Sequence, residues 1–120
     1  MRIAQVAVHV EDVDRARAFY RDVVGLPHLF DAPPSLSFFD CNGTRLMLSP
    51  REESEQRASS IVYFDAADIT AAHARMEAAG ARFVEPPRMI ADLGTREVWL
   101  AAFQDGEGNT MALMSEVVKA

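Results

Sequence analysis

The side chains able to do chemistry are few in these 120 residues: three histidines, one cysteine and scattered arginines, tyrosines and carboxylates. His9, His28 and His73 lack the spacing of a zinc site. Cys41 falls in a predicted turn without a neighbouring His motif, and no Ser-His-Asp arrangement can be picked out, so nucleophilic catalysis has no candidate. His9 alternates with Gln5 and Ala7 on one face of a predicted strand. It is there either as a general acid–base near neutral pH or as a strand-end histidine satisfied at the surface or at a dimer contact. His73 flanks a helical stripe and belongs at the edge of a core; His28 follows Pro27 at the start of a strand.

Composition narrows the classes further. Eighteen acidic residues against 12 basic ones give a net charge of −6, and Lys and Arg form no cluster, which argues against nucleic acid and anionic membranes as partners. The longest apolar run, 98–103, is far shorter than a membrane helix needs. The N-terminus alternates apolar and polar residues and then turns acidic, unlike a secretory signal. With a single cysteine, the expected compartment is the reducing cytoplasm.

The elements that must position these residues form two similar halves. Val6, Val8 and Val10 alternate with Gln5, Ala7 and His9 as in a strand. Asp12 then offers an N-cap to the stripe Val13, Ala16, Phe19, Tyr20 and Val23, and Gly25 offers a stop. In the second half 61–65 is the strand, Asp68 the cap, Ile69, Ala72, Met76 and Ala79 the stripe, and Gly80 the stop. Asp12 and Asp68 stand 56 positions apart (68 − 12), whereas Asp40 to Asp105 and Gly43 to Gly108 both stand 65 apart (105 − 40, 108 − 43). The excess predicts an insertion between Gly80 and Val98. Pro86, Pro87 and Gly94 mark it as a longer loop, and 81–97 is a candidate lid.

Each half is predicted as β-α-β-β-β, with strands 2–10, 27–31, 36–41 and 45–49, then 61–65, 82–85, 97–104 and 110–115, and helices 13–24 and 69–79. The chain is predicted as one domain over 1–120: module one over about 1–50, a polar linker over 51–59, and module two over about 60–118.

Asp12, Val13, Asp14, Ala16, Phe19, Tyr20, Val23, Gly25 and Leu26, followed late by Asp105, Gly108, Asn109, Ala112 and Leu113, resemble the motifs of the vicinal oxygen chelate superfamily. That superfamily includes glyoxalase I, bleomycin-resistance proteins, extradiol dioxygenases and fosfomycin-resistance enzymes. The resemblance covers essentially the whole chain. It implies an α+β fold of two tandem βαβββ modules forming a cupped, partly open barrel around a ligand cavity, in a homodimer.

The resemblance also implies a place for a divalent metal, on the first and last strands of each half. Carried over, those positions are Gln5 and Met47, then Ile61 and Ala112; Ser59 or Ser60 could replace Ile61 if the register shifts. Gln5 could supply an amide oxygen. Ile61 and Ala112 supply nothing, and the thioether of Met47 is a poor partner for a hard cation. The expectation is no metal and no other cofactor.

Strand alternation extends those positions to a cavity-facing set of Gln5, Ala7, His9, Arg45, Met47, Ile61, Tyr63, Val98, Leu100, Ala102, Ala112 and Met114. The set is apolar with a few polar points, as ligand pockets are, although the same residues could pack as core. Arg45 either pairs with a carboxylate or phosphate of a ligand or snorkels to solvent. Arg88 and Arg96 are lid contacts or solvated loop arginines. Glu97 and Trp99 fall on the opposite face, with Trp99 against a helix or a dimer partner. The expected function is metal-free binding or sequestration of an apolar or aromatic small molecule. The alternative is a glyoxalase-like lyase or isomerase using an acid–base pair such as His9 with Tyr63, or a non-standard metal site. A partner-binding protein with a filled cavity is the third reading.

Overall fold

The computed structural model describes residues 1–51 and 60–119, so nearly all of the expected linker lies outside the described residues. The chain divides into two compact units. Met1–Ser59 with Gly106–Gly108 make the first; Ser60–Asp105 with Asn109–Ala120 make the second.

The first unit holds β1 (Gln5–Val10), α1 (Val13–Ala18) continued by a π-helical segment (Phe19–Val24), β2 (His28–Ala32), β3 (Leu36–Cys41) and β4 (Thr44–Pro50). Its sheet has the order β1-β4-β3-β2, with β1 parallel to β4 and the other pairs antiparallel. Period-two alternation turns Val8 and Val10 to the buried side, as expected. Asp12 caps α1: its Oδ1 accepts from the Arg15 N–H at 3.0 Å. Val13, Ala16 and Tyr20 are buried, and α1 packs on β3 and β4. Tyr20, Phe39 and Leu48 are wholly buried, each stabilising the unit by about 2 kcal/mol. The helix expected over 13–24 does not stay α-helical. From Phe19 it widens, and the Tyr20 carbonyl accepts from the N–H groups of both Gly25 (3.1 Å) and Leu26 (3.0 Å). Gly25, at φ 88°, makes the left-handed stop.

The second unit repeats the plan with β5 (Val62–Asp65), α2 (Ile69–Ala78), β6 (Arg82–Asp92), β7 (Arg96–Gln104) and β8 (Thr110–Val118). The strand order β5-β8-β7-β6 matches the first sheet position for position. Asp68 caps α2, its Oδ1 accepting from the Ala71 N–H at 3.1 Å, and Ile69 and Met76 are the buried stripe over Phe103, Met111 and Leu113. Among the described residues each sheet ends in two edge strands, and neither sheet closes into a barrel.

Two expectations are corrected. The segment 81–97 is not a loop: β6 runs to Asp92 and pairs with β7 down to Asp92 opposite Glu97. Three register shifts interrupt this ladder, and the one between Glu85 and Arg88 spans Pro86 and Pro87, which an edge strand paired on one side only among the described residues tolerates. The hairpin tip is tied down. Asp92 Oδ1 accepts from the Gly94 N–H at 3.0 Å, and Lys119 Nζ lies 2.7 Å from the same carboxylate.

The second correction concerns how the halves align. The ladders place Ala7 in the role of Tyr63, and Arg45 and Met47 in those of Thr110 and Ala112, so the 56 and 65 offsets hold for these strands; counted two residues back, Gln5 matches Ile61, which lies just before β5. Between β3 and β7 the offset is 64 (102 − 38). Phe38 pairs with Met47 as Ala102 pairs with Ala112, and Phe39 pairs with Leu46 as Phe103 pairs with Met111. The turns account for the difference. Asn42 and Gly43, both at positive φ, make a two-residue hairpin turn, whereas five residues separate Gln104 from Thr110. Asp40 and Asp105 still do the same work. Asp40 Oδ1 accepts from the Gly43 N–H at 2.9 Å, and Asp105 Oδ1 accepts from the Asn109 N–H at 3.1 Å.

Candidate functional site

On the first sheet, the side of β1 away from α1 carries Gln5, Ala7 and His9, joined across the ladder by Arg45, Met47 and Ser49 of β4. These sequence-expected residues are brought together, and two phenylalanines outside the expected set complete the face. Phe38 pairs with Met47, and Phe30 pairs with Phe38 from β2. Their rings stack with centroids 4.6 Å apart and planes at 25°. Phe38 is buried beneath this stack, while Phe30 is 45% exposed and presents its ring outward.

Arg45 lies against this pair. Its guanidinium carbon is 5.4 Å from the Phe38 centroid and 5.9 Å from that of Phe30, within cation–π range. Its Nε donates to Gln5 Oε1 at 3.0 Å. The Gln5 amide is itself oriented, because its Nε2 donates to Met47 Sδ at 3.8 Å. Asp40 lies opposite Arg45 in the ladder, yet its carboxylate is turned to the Gly43 N–H. Among the described residues Arg45 enters no ion pair. At the far end of the face, the half-buried His9 Nδ1 lies 3.2 Å from Ser49 Oγ.

This geometry bears on the metal positions implied by the superfamily. The one usable donor, Gln5 Oε1, already accepts from a guanidinium, so a divalent cation there would meet a like charge at contact distance. Met47 offers sulfur, and Ile61 and Ala112 offer no donor atom. The residues present do not fit a hard divalent ion.

The second sheet gathers the rest of the expected set. Tyr63 is opposite Ala112, Leu100 opposite Met114, and Ala102 opposite Ala112, with Val98 continuing β7 and Ile61 just before β5. Ile61 and Tyr63 are 46% and 50% exposed; Val98, Leu100, Ala102 and Met114 are half-buried, and the small Ala112 is buried between its neighbours. Two arginines here are matched. Arg88 Nε lies 2.9 Å from Glu85 Oε2 and Arg96 Nη1 lies 2.6 Å from Glu116 Oε2. The face is therefore largely apolar, with Arg88 and Arg96 paired at its margin and Arg82 opposite Gln104 at the end of the β6–β7 ladder. Tyr63 belongs to this unit and His9 to the other.

Other reactive groups are occupied by structure. Burial, and then the charge of Asp40, pushes the Cys41 thiol up, which keeps it protonated and poorly nucleophilic. His28 Nε2 lies 2.9 Å from Asp31 Oδ1. That contact, with Ser37 and Arg17, outweighs desolvation and holds the Asp31 carboxyl at about 2. His73 packs edge-on to Phe83 at 4.4 Å, at the core edge as expected. Trp99 faces the helix side, where it lines an open groove of about 380 Å³ with Ile69, Thr70, Ser115 and Val117; its Nε1 donates to Glu97 Oε1 at 3.2 Å.

Sequence reasoning also missed Glu107. Its side chain is fully buried in the first unit, where Oε2 accepts from the Glu11 N–H at 2.8 Å and Oε1 lies 2.6 Å from Arg15 Nε. Burial pushes its carboxyl up, but the bonds from Arg15, Glu11 and Asp12 outweigh that and hold it below its ordinary value.

Known proteins share this architecture. The uncharacterised protein YetH of Bacillus subtilis (strain 168) is 32% identical over 121 residues, spanning 93% of this chain and 96% of its own. The antibiotic-binding protein TnmS3 from Streptomyces sp. CB03234 superposes with a TM-score of 0.78 at 22% identity, covering 96% of this chain and 95% of that one. Lactoylglutathione lyase from Agrobacterium tumefaciens superposes with a TM-score of 0.74 at 24% identity, covering 95% and 92%. The model of the Glyoxalase/Bleomycin resistance protein/Dioxygenase superfamily matches residues 2–113, and with two βαβββ units in the same strand order the chain belongs to that superfamily.

Proposed function

We propose that this protein binds and sequesters a flat, largely apolar small molecule without a metal ion. The observation that carries the reading is the open face of the first sheet, where an exposed phenyl ring stacks on a buried one beside Ala7, Met47 and a guanidinium held by an amide. An exposed aromatic platform with few polar points suits planar ligands. The apolar face of the second sheet, through Tyr63, Leu100, Ala102 and Met114, is the second ligand-binding element of this reading. The structural likeness to an antibiotic-binding protein agrees with it, and the donor chemistry at Gln5, Met47, Ile61 and Ala112 disfavours a metal-dependent reaction. The working form is proposed to be a cytoplasmic homodimer. Exposed Met89, Ile90 and Leu93 at the β6–β7 hairpin, with Val118 on β8, give a second copy an apolar surface to cover.

Native mass spectrometry of protein never exposed to chelator tests this. The expected spectrum is a dimer at the polypeptide mass or with an organic adduct. A stoichiometric divalent ion overturns the metal-free reading. A lyase or isomerase using His9 is the second reading, favoured by the half-buried His9–Ser49 contact on the same face. Turnover of a found substrate that disappears in His9→Ala, with binding retained, would establish it in place of sequestration.

A further inference from the structure

We infer that the ligand is an aromatic carboxylate, recognised by Arg45 of the first sheet while its ring lies on Phe30; this rests on the proposed binding face and specifies its ligand. Four observations converge. The protein carries a net charge of −6, so a cation on an apolar face is not there by compositional excess. The arginines with acidic neighbours on the second sheet, Arg88 and Arg96, are paired with them, whereas Arg45 enters no ion pair among the described residues even though Asp40 stands opposite it. Asp40 is held by the turn it closes, through the Gly43 N–H.

The third observation is orientation. A guanidinium at a strand's start usually snorkels into water. Arg45 is exposed here too, but its Nε donates to Gln5 Oε1 at 3.0 Å, and the equally exposed Gln5 reaches Met47 Sδ at 3.8 Å, so the guanidinium is held along the sheet. An amide oxygen holds the guanidinium without neutralising it, so the charge stays available to an incoming anion. The fourth is the stack. Arg45 approaches both phenyl rings at 5.4 and 5.9 Å, and Phe30 leaves nearly half its surface uncovered. The remaining guanidinium N–H groups can donate to two carboxylate oxygens at once, the geometry in which arginine discriminates best. An aromatic ring carrying that carboxylate gains a stacking partner in Phe30. A cationic ligand meets repulsion at Arg45, and a neutral one leaves the charge unanswered.

Isothermal titration of the full chain with three probes of one shape tests this: 2-naphthoate, 2-naphthamide and 2-naphthylmethylammonium. The expected order is naphthoate tightest, about tenfold over the amide, with the ammonium weakest. Arg45→Gln should bring naphthoate to within about threefold of the amide; Arg45→Lys should retain part of the preference. Phe30→Ala, at an exposed position that threatens the fold little, should weaken all three probes together. Equal affinity of amide and carboxylate, preference for the ammonium, or a naphthoate preference that survives in Arg45→Gln overturns the carboxylate assignment and leaves the aromatic platform standing. Failure of all three probes to bind overturns the platform and the assignment with it.

Discussion

Glu107 should be worth more to stability than any other carboxylate among the described residues, and its contribution can be worked from the contacts. The turn residues Gly106–Gly108 belong to the first unit, and the Glu107 side chain is fully buried there. It accepts from the Glu11 N–H at 2.8 Å, from the Asp12 N–H at 3.4 Å and from Arg15 Nε at 2.6 Å. These backbone donors stand just before α1, where the helix leaves N–H groups unmatched and favours negative charge. The short bond to Glu11 is charge-assisted and contributes about 1.5–3 kcal/mol. The Asp12 bond is long and adds little. Arg15 is 57% exposed, so solvent screening removes most of its share. Glu107→Ala strips the acceptor and leaves the part-buried Glu11 N–H without it, for a total of about 2–3 kcal/mol, or roughly 6–15 °C in a domain of this size. Glu107→Gln keeps an acceptor without the charge and should lose about half of that.

The assay is thermal unfolding followed by circular dichroism for wild type and both variants between pH 7 and pH 3. The folded-state pKa of Glu107 lies below the ordinary 4.5. Its contribution is therefore fully present above that ordinary value and is lost as pH falls through the folded pKa. The gap between wild type and Glu107→Gln should stay constant from pH 7 to pH 5 and close below 4.5. A gap under about 1 °C at pH 7, or one that widens as pH falls towards 4, refutes the reasoning.

Three further outcomes are expected. Asp31→Asn should lower the unfolding midpoint at neutral pH. Asp31 titrates at about 2 against an ordinary 3.8, so the gap should begin to close only below pH 3.8; a gap already closing at pH 5 contradicts the assigned contacts with His28, Ser37 and Arg17. After chelator treatment, millimolar Mn²⁺, Ni²⁺ or Zn²⁺ should move the melting midpoint by less than about 1 °C, and a rise of several degrees with any of them would show a ligand set other than Gln5, Met47, Ile61 and Ala112. Gly25→Ala, which forces a Cβ into φ 88°, should cost about 1 kcal/mol or more in urea denaturation, whereas an unchanged midpoint would mean that the turn after Val24 tolerates another conformation.

The duplicated βαβββ plan is legible because its signals are local. A cap, a stripe and a glycine recur at fixed offsets, and Asp12, Asp68, Gly25 and Gly80 occupy the positions their chemistry demands. The π-helical widening after Ala18 is not legible, since the spacing of Phe19, Tyr20 and Val23 over one turn suits either winding. The start of β6 is legible over 82–85, but its continuation to Asp92 is hidden by Pro86 and Pro87, which mark a loop unless the strand is known to lie at an edge. Glu107 is hidden more deeply: a Glu in a Gly-flanked turn looks solvated, and nothing local names the distant N–H groups that bury it.

The missed phenylalanines show how a one-residue error in an internal alignment conceals a site. Using the Asp40–Asp105 offset of 65 throughout matches Phe38 to Phe103 and assigns it to the core side. The ladders give 64 there, matching Phe38 to Ala102, which strand alternation places on the open face. Because strand side chains alternate, that slip exchanges the two faces. With the register corrected, the halves can be compared position by position. On the helix side they agree: Phe39 answers Phe103, Leu46 answers Met111 and Leu48 answers Leu113, all buried apolar residues constrained by close packing. On the open side they part. Gln5, Phe38, Arg45 and Met47 stand where the second half has Ile61, Ala102, Thr110 and Ala112. Packing dictates the first set and leaves the second free, so what has accumulated on the free face of the first sheet calls for a reason outside the fold. An amide-held guanidinium over stacked phenyl rings contributes little that a core needs, and it supplies the charge and the surface that an aromatic acid would require.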